Sequence, residues 1–364
     1  MVAGGFLPLM AARAAAIKRD LEVGVAAVSQ ATPCRRSSHA MKAALCKSLD
    51  GPDAIVVEDI AEPTAGPGEV VVRVTAAALN FFDTLISRGK YQHKPALPFS
   101  PSGEIAGVVE SVGAGVEGVT PGMRVAAYVG WGGAREKVVV AAEKCIAIPA
   151  GVADEVAAGI SVTYGTAIHG LKDRARLQPG ETVVVLGASG GAGLAAVEIA
   201  HLMGARVIAA ASSADKLEVA RQHGADAGID YSSTDLKTAL REATDGRGVD
   251  VVYDCVGGPY AEPALRAVGW QGRYLVIGFA AGDIPKLPLN LLLLKGCDVL
   301  GVFWGEAVRR DPAGHRANMI EVLDWIAAGR LAPRIHGRFP LDDIRAAIGV
   351  IDRREAIGKV IVTP

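Results

Sequence analysis

Two hydrophobic periods divide the chain. From Met41 to about Ala141, apolar residues alternate with polar ones or run in short β-branched stretches, and Gly or Pro clusters break many of the runs. The pattern predicts strands at Lys42–Lys47, Ile55–Ile60, Glu69–Ala77, Glu104–Val112, Arg124–Tyr128 and Glu136–Ala141. Turns are expected at Gly66-Pro67-Gly68, Gly113–Gly118 and Thr120-Pro121-Gly122. From about Val156 the period lengthens. Helical spacing there alternates with short strands at Thr182–Leu186, Arg206–Ala211, Ala227–Asp230, Val249–Asp254, Gly272–Ile277 and Cys297–Val302. Six strands with intervening helices predict an α/β, doubly wound parallel sheet. Helices near Arg316–Ala328 and Asp342–Ile351, with a last strand at Gly358–Val362, are expected to pack back on the β-rich first part.

Within the second part, Glu181-Thr-Val-Val-Val-Leu-Gly-Ala-Ser-Gly-Gly-Ala-Gly193 carries the chemistry. It predicts a buried strand, a glycine-rich turn over Ser189, Gly190, Gly191, Ala192 and Gly193, and a helix from Leu194 to Met203 whose N-terminus would stabilise a pyrophosphate. A dinucleotide is the expected ligand. The second strand of such a unit chooses the cofactor: an acid near its end would accept from a ribose 2′-hydroxyl. Here the sequence is Ala211-Ser212-Ser213-Ala214-Asp215-Lys216. Losing the carboxylate expected at the strand end removes repulsion of a 2′-phosphate, and Ser212, Ser213 and Lys216 supply donors and positive charge, so NADPH is favoured over NADH. Ser212 is also placed to cap the helix beginning near Asp215.

Composition narrows the class. The chain has 364 residues, 50% of them hydrophobic, and a formal net charge of −1, so bulk electrostatics point to neither nucleic acid nor an anionic membrane. A soluble enzyme of two domains is expected. The longest apolar run, Leu287–Leu294, contains a proline and an asparagine and stops at Lys295, which excludes a transmembrane span there. Five cysteines, Cys34, Cys46, Cys145, Cys255 and Cys297, are scattered with no CxxC spacing, as in a reducing cytoplasm. Residues 1–40 are alanine-rich with Arg35-Arg36 beside serines, and are expected to be a poorly ordered extension to a catalytic chain that begins at Met41.

Taken in order, Ala78-Leu-Asn-Phe-Phe-Asp-Thr84 with Arg88-Gly89, Gly103-Glu-Ile-Ala-Gly107, Gly187-Ala-Ser-Gly-Gly-Ala-Gly193, Val251-Val-Tyr-Asp-Cys-Val-Gly257 and Gly358-Lys-Val-Ile-Val362 resemble the medium-chain dehydrogenase/reductase superfamily. Within it they are similar to the zinc-independent quinone oxidoreductases related to zeta-crystallin. The resemblance spans Met41 to Pro364. It implies a GroES-like catalytic domain from residues 41–162 and 304–364, a Rossmann cofactor domain at residues 163–303, and an active site in the cleft between them. Where zinc-dependent relatives carry a ligand Cys and His, this chain has Asn80 and Gly103, neither of which can replace thiolate or imidazole. No bound metal is expected. Hydride chemistry then requires an acceptor that is already electrophilic.

The resemblance also implies roles, residue by residue. Asn80 would lie beside the nicotinamide, and its amide would hold the cofactor carboxamide or a substrate oxygen; Tyr91 would reach the cleft and donate to a substrate carbonyl. A further family tyrosine position is Leu85 here. Thr163 would approach the nicotinamide, Tyr231 and Arg354 would flank the 2′-phosphate with Lys216, and Cys255, Val256, Gly257 and Gly278 would lie along the nicotinamide ribose. An ordinary turn Asn, a half-buried Tyr and a solvated charge run around Arg354 are the plainer alternatives. Asp83 and Glu104 are expected to be structural. The implied activity is NADPH-dependent reduction of quinones or quinone-like acceptors. Reduction of an enone or acryloyl-type alkene is the alternative within that chemistry, and a non-catalytic NADPH-binding structural or RNA-binding protein is the alternative from another class. A cytoplasmic homodimer is expected, joined through the apolar edge Cys297-Asp-Val-Leu-Gly-Val-Phe-Trp304, which would bury Phe303 or Trp304 unless Trp304 lines the cleft.

Overall fold

In the computed structural model the description covers residues 40–364, so the expected N-terminal extension and Cys34 lie outside the described residues. Alternation in the first part produces β1 (Ala40–Cys46) and β2 (Ile55–Ala61), which pair antiparallel. They are followed by β3 (Glu69–Leu79), β4 (Glu104–Val112), β5 (Arg124–Tyr128), β6 (Lys137–Ala141) and β7 (Ile146–Ala147). Val70, Val72, Ala76 and Ala78 on β3 are fully buried, because β3 is the strand on which the others assemble. It pairs with β4 along most of its length and with β6 at its start.

The second part contains β8 (Thr182–Leu186), β9 (Arg206–Ala211), β10 (Ala227–Asp230), β11 (Val249–Asp254), β12 (Val268–Val276) and β13 (Asp298–Gly301). They form one parallel sheet in the order β10-β9-β8-β11-β12-β13. The order reverses between β8 and β11. Ligands bind such sheets outside the strand carboxyl ends at that switch point, and the glycine-rich turn leaves β8 there. Val183, Val184, Val185 and Leu186 are fully buried between helices on both faces. Burying each such side chain contributes about 1.5–3 kcal/mol.

The chain then returns to the first sheet. β14 (Ile335–Pro340) pairs parallel with β15 (Lys359–Thr363), and β15 pairs antiparallel with β3, Val360 facing Leu79 and Val362 facing Ala77. This register sets Lys359 beside Asn80. The GroES-like sheet therefore takes strands from both ends of the described chain around an intervening Rossmann sheet.

Four local expectations are corrected. The helix after the glycine-rich turn starts at Gly191, with Gly190 as its cap, so three of the motif glycines, Gly190, Gly191 and Gly193, belong to the helix or its boundary. Ser213, rather than Ser212, caps the next helix, accepting from the Lys216 N–H at 3.4 Å. Strand β12 starts at Val268 rather than Gly272, across a register shift in its pairing with β11. The helix expected from Arg316 begins at Pro312, because Asp311 accepts from the Gly314 N–H at 2.9 Å and proline is preorganised for the first helical turn. No helix among the described residues is long and apolar enough to cross a membrane.

Candidate active site

Asn80 follows β3 and caps the helix Phe81–Ile86, whose Asp83 carboxylate accepts from the Asn80 N–H at 2.8 Å. The other Asp83 oxygen accepts from the Ser102 N–H at 2.8 Å. Asp83 is wholly buried, and that burial lifts its carboxyl to about 7 against the pull of the two backbone donors. Ser102 holds this contact at a φ of 70°, an uncommon backbone for a residue with a side chain, and its hydroxyl donates to the Ala78 and Glu104 carbonyls. Asp83 is thus a brace for the Asn80 turn.

The Asn80 amide is engaged at both ends. Its Nδ2 donates to Glu104 Oε1 at 2.8 Å, and its Oδ1 accepts from Lys359 Nζ at 2.6 Å. Lys359 also donates to Glu104 Oε1 at 2.6 Å and to the Leu79 carbonyl at 3.1 Å, while Glu104 Oε2 accepts from the Val162 N–H at 2.7 Å. Val162 begins the helix Thr163–Ile168. The Glu104 and Lys359 side chains are 0% and 4% exposed, so this is a fully desolvated ion pair whose remaining hydrogen-bonding capacity is met by neighbours. With one N–H and one lone pair committed, the amide is held in one orientation and keeps a single N–H and a single lone pair for a ligand.

Zinc does not fit this arrangement. At Gly103 a β-carbon would lie 2.7 Å from both the Gly130 carbonyl oxygen and the Phe82 ring, so no imidazole could be carried there. Asn80 offers an amide already tied to an ammonium group. Among the described residues no three His, Cys, Asp or Glu side chains gather to hold a metal.

Lys359 also reaches the glycine-rich turn. A β-carbon on Gly191 would touch its stem at 3.5 Å, and the Gly358 N–H donates to the Ser189 carbonyl at 3.2 Å. Gly193 is obligatory at its position, since a β-carbon there would sit 2.1 Å from the Gly187 carbonyl oxygen. Ala192 follows Gly191 in the first turn of the helix. Thr163 abuts Gly191 through its methyl group, but its hydroxyl donates to the Gly159 carbonyl at 2.9 Å.

At the far end of β9, residues from separate segments converge. Lys216 Nζ donates to Ser212 Oγ at 3.3 Å and to the Arg354 carbonyl at 3.4 Å. The Tyr231 N–H donates to the Ala211 carbonyl at 3.1 Å, and the ring lies against Tyr260 at 4.4 Å. Burial raises the Tyr231 phenol, with the Ser212 hydroxyl and Arg354 pulling the other way. In the charge run, Arg353 pairs with Glu355 and Asp352 with Arg88, whereas the Arg354 side chain has no ion-pair partner among the described residues. Ser212, Lys216, Tyr231 and Arg354 thus lie together at the end of β9.

The strand ends nearer the switch point are shaped by Asp254. One of its oxygens accepts from the Val256 and Gly257 N–H groups, both at 2.8 Å, and the Tyr274 hydroxyl donates to the other. The Gly278 N–H donates to the Asp254 carbonyl at 3.2 Å. Val256 packs toward Gly187, and Cys255 lies in the same loop with its thiol pushed up by burial. Cys255, Val256, Gly257 and Gly278 therefore stand at adjacent strand ends beside the phosphate turn.

An aromatic row starts from the helix that Asn80 caps. Tyr91 stacks on Phe82 with centroids 5.4 Å apart and lies 5.8 Å from His93, which stacks on Phe303 at 6.1 Å. Burial raises the Tyr91 phenol, so it is a hydrogen-bond donor rather than an acid. Trp304 is buried within the chain, edge-on to Tyr128 at 4.7 Å and against Gly165, so of the two readings for that residue the intrachain one holds. Phe303 remains 48% exposed. Lys359, Tyr128 and Asp254 were missed as site residues. The signal for Lys359 was present, because a lysine opening the apolar run Val360-Ile-Val362 must find a buried partner.

Residues 66–150 match the alcohol dehydrogenase GroES-like domain and residues 191–328 match the zinc-binding dehydrogenase family. The chain is 38% identical over 334 residues to a quinone oxidoreductase-like protein 2 homolog from Nematostella vectensis, covering 91% of this chain and 90% of that protein. A probable oxidoreductase from Mycobacterium abscessus superposes with a TM-score of 0.82 at 36% identity, covering 90% of this chain and 100% of that one. The Escherichia coli quinone oxidoreductase, solved in complex with NADPH, superposes with a TM-score of 0.81 at 27% identity, covering 89% and 99% respectively.

Proposed function

Because the chain belongs to the zinc-independent, quinone oxidoreductase-like branch of the medium-chain dehydrogenase/reductase superfamily, we propose that it uses NADPH to reduce quinones or quinone-like acceptors. The observation that supports this reading is the buried Asn80–Glu104–Lys359 network, whose Asn80 stands where zinc-dependent relatives would carry a ligand Cys, beside the glycine-rich turn. Without a Lewis acid to lower the pKa of an alcohol, the electrophile must come with the substrate. The reduced nicotinamide supplies the hydride when bound. Ser189 to Gly193 receive the pyrophosphate at a helix N-terminus, and Ser212, Lys216, Tyr231 and Arg354 receive the 2′-phosphate. The remaining N–H of Asn80 orients the nicotinamide or the acceptor, and Tyr91 donates to an acceptor oxygen from the aromatic row. Residues 41–162 with 304–364 act as the catalytic domain and residues 163–303 as the cofactor domain. Steady-state assay with NADPH tests the activity. Turnover of 1,4-benzoquinone or 9,10-phenanthrenequinone is expected to exceed that of methyl vinyl ketone and acryloyl-CoA; the reverse order, or NADPH binding with no turnover, would reject the quinone reading.

We further propose a homodimer joined at β13, the edge of the parallel sheet, where Trp270, Leu293 and Leu294 are strongly exposed nearby in the chain. The Val302 N–H donates inward to the Val276 carbonyl at 3.1 Å, so alternation turns the Val299 N–H outward. Light scattering of Val299→Pro should show loss of the dimer; an unchanged dimer would reject strand pairing.

A further inference from the structure

Tyr128 ends β5 directly opposite Glu104 on β4. Opposed residues of an antiparallel pair project to the same face, so the phenol shares the face on which Glu104 grips Asn80. Its ring is fixed by edge-on contact with the buried Trp304, which itself presses on the helix Thr163–Ile168 at Gly165. The hydroxyl lies at the seam with the segment that follows β13: a β-carbon on Gly305 would stand 3.6 Å from it. Among the described residues this hydroxyl has no hydrogen-bond partner and is not among the polar atoms sealed from solvent. The phenols of Tyr164 and Tyr274, by contrast, are spent on Glu198 and Asp254. Burial raises the Tyr128 phenol, with the Glu104 and Asp83 carboxyls nearby acting in the same direction, so that it keeps its proton. A rigid, half-buried donor without a partner, on the face that carries Glu104 and open to solvent, is a seat for a ligand acceptor atom.

We propose that the Tyr128 hydroxyl donates the hydrogen bond that seats the carbonyl oxygen of the acceptor, making Tyr128 a specificity-determining residue for planar carbonyl acceptors. The proposal rests on the reductase reading above. In a turnover the acceptor gains a hydride, two electrons and one proton, from the reduced nicotinamide, and a second proton from water. Tyr128 contributes only its hydrogen bond. Gly305 leaves the hydroxyl uncovered, and the ring edge of Trp304 sets the direction in which a flat acceptor can enter.

The test uses the full chain loaded with NADP+, which permits binding without turnover, and 1,4-naphthoquinone titrated calorimetrically. Tyr128→Phe keeps the ring and its contact with Trp304, so its melting temperature and NADP+ affinity are expected to match the wild type. Its naphthoquinone affinity is expected to fall about 10-fold, the loss of one neutral hydrogen bond. Gly305→Ala, which covers the hydroxyl without touching the ring, should lower affinity in the same direction. Equal affinity in the wild type and Tyr128→Phe, or no naphthoquinone binding by the wild type, overturns the proposal. Parallel NADPH assays separate the two claims: Tyr128-dependent binding with no turnover of any quinone would sustain the seat and reject the reductase reading.

Discussion

The phosphate turn and the Asn80 seam meet at Gly191, yet they are built on opposite principles. The turn is made of backbone: Gly187 and Gly193 permit a path that side chains would obstruct, and its charge is the helix terminus. The seam is made of side chains drawn from β3, β4 and β15, with an ammonium, a carboxylate and an amide satisfying one another out of water. A backbone site tolerates change in all but its glycines. A buried network fails when any member is removed, because the partner is left as an uncompensated buried charge or polar group.

The sharpest way to break this contrast is Lys359→Met, which strands the Glu104 carboxylate. Denaturant unfolding should show a loss of about 3–5 kcal/mol, and Lys359→Met combined with Glu104→Gln should recover part of it. A loss under 1 kcal/mol for the single variant would mean that water enters the seam. A smaller effect is expected at the outer end of the cofactor site. If Lys216 receives the 2′-phosphate as proposed, Lys216→Ala should weaken NADPH binding by about 1.5–3 kcal/mol while leaving NADH nearly unaffected, because NADH carries no 2′-phosphate. Equal losses for both cofactors would remove Lys216 from the phosphate pocket.

The smallest effect concerns His315, which meets Trp304 edge-on at 5.4 Å and has an unpaired Nδ1. Burial lowers its pKa from 6.5 to about 4. A base with a depressed folded-state pKa contributes stability that is fully present above the unfolded value and is lost as pH falls through the folded one. Acidification from pH 6.5 to 4 should therefore cost about 1–2 kcal/mol through this residue, after allowance for its partial exposure. His315→Gln should flatten that part of the stability profile; an unchanged slope would assign it to other groups.

How much of each region was legible in the sequence follows from the same contrast. Strand β4 and the strands β8 to β11 were legible to the residue, since period and turn glycines are local signals. The absence of an acid at Ala211 and the lysine at 216 were legible too. The Lys359–Glu104 pair was not, because 255 residues separate its members and only the β15–β3 register brings them together. Asn80 was found as a position, but its engagement at both ends of the amide was hidden for the same reason. Tyr128 read as the last residue of a strand, and its free hydroxyl depends on Gly305 far along the chain.

The central claim is that side chains, rather than a metal, complete this site. Its most direct measurement is the rate of NADPH-dependent quinone reduction by protein dialysed against a strong chelator, with zinc counted by elemental analysis before and after. The expected result is an unchanged rate with zinc well below one per chain. One zinc per chain, lost together with activity and restored with it on adding zinc back, would contradict the account.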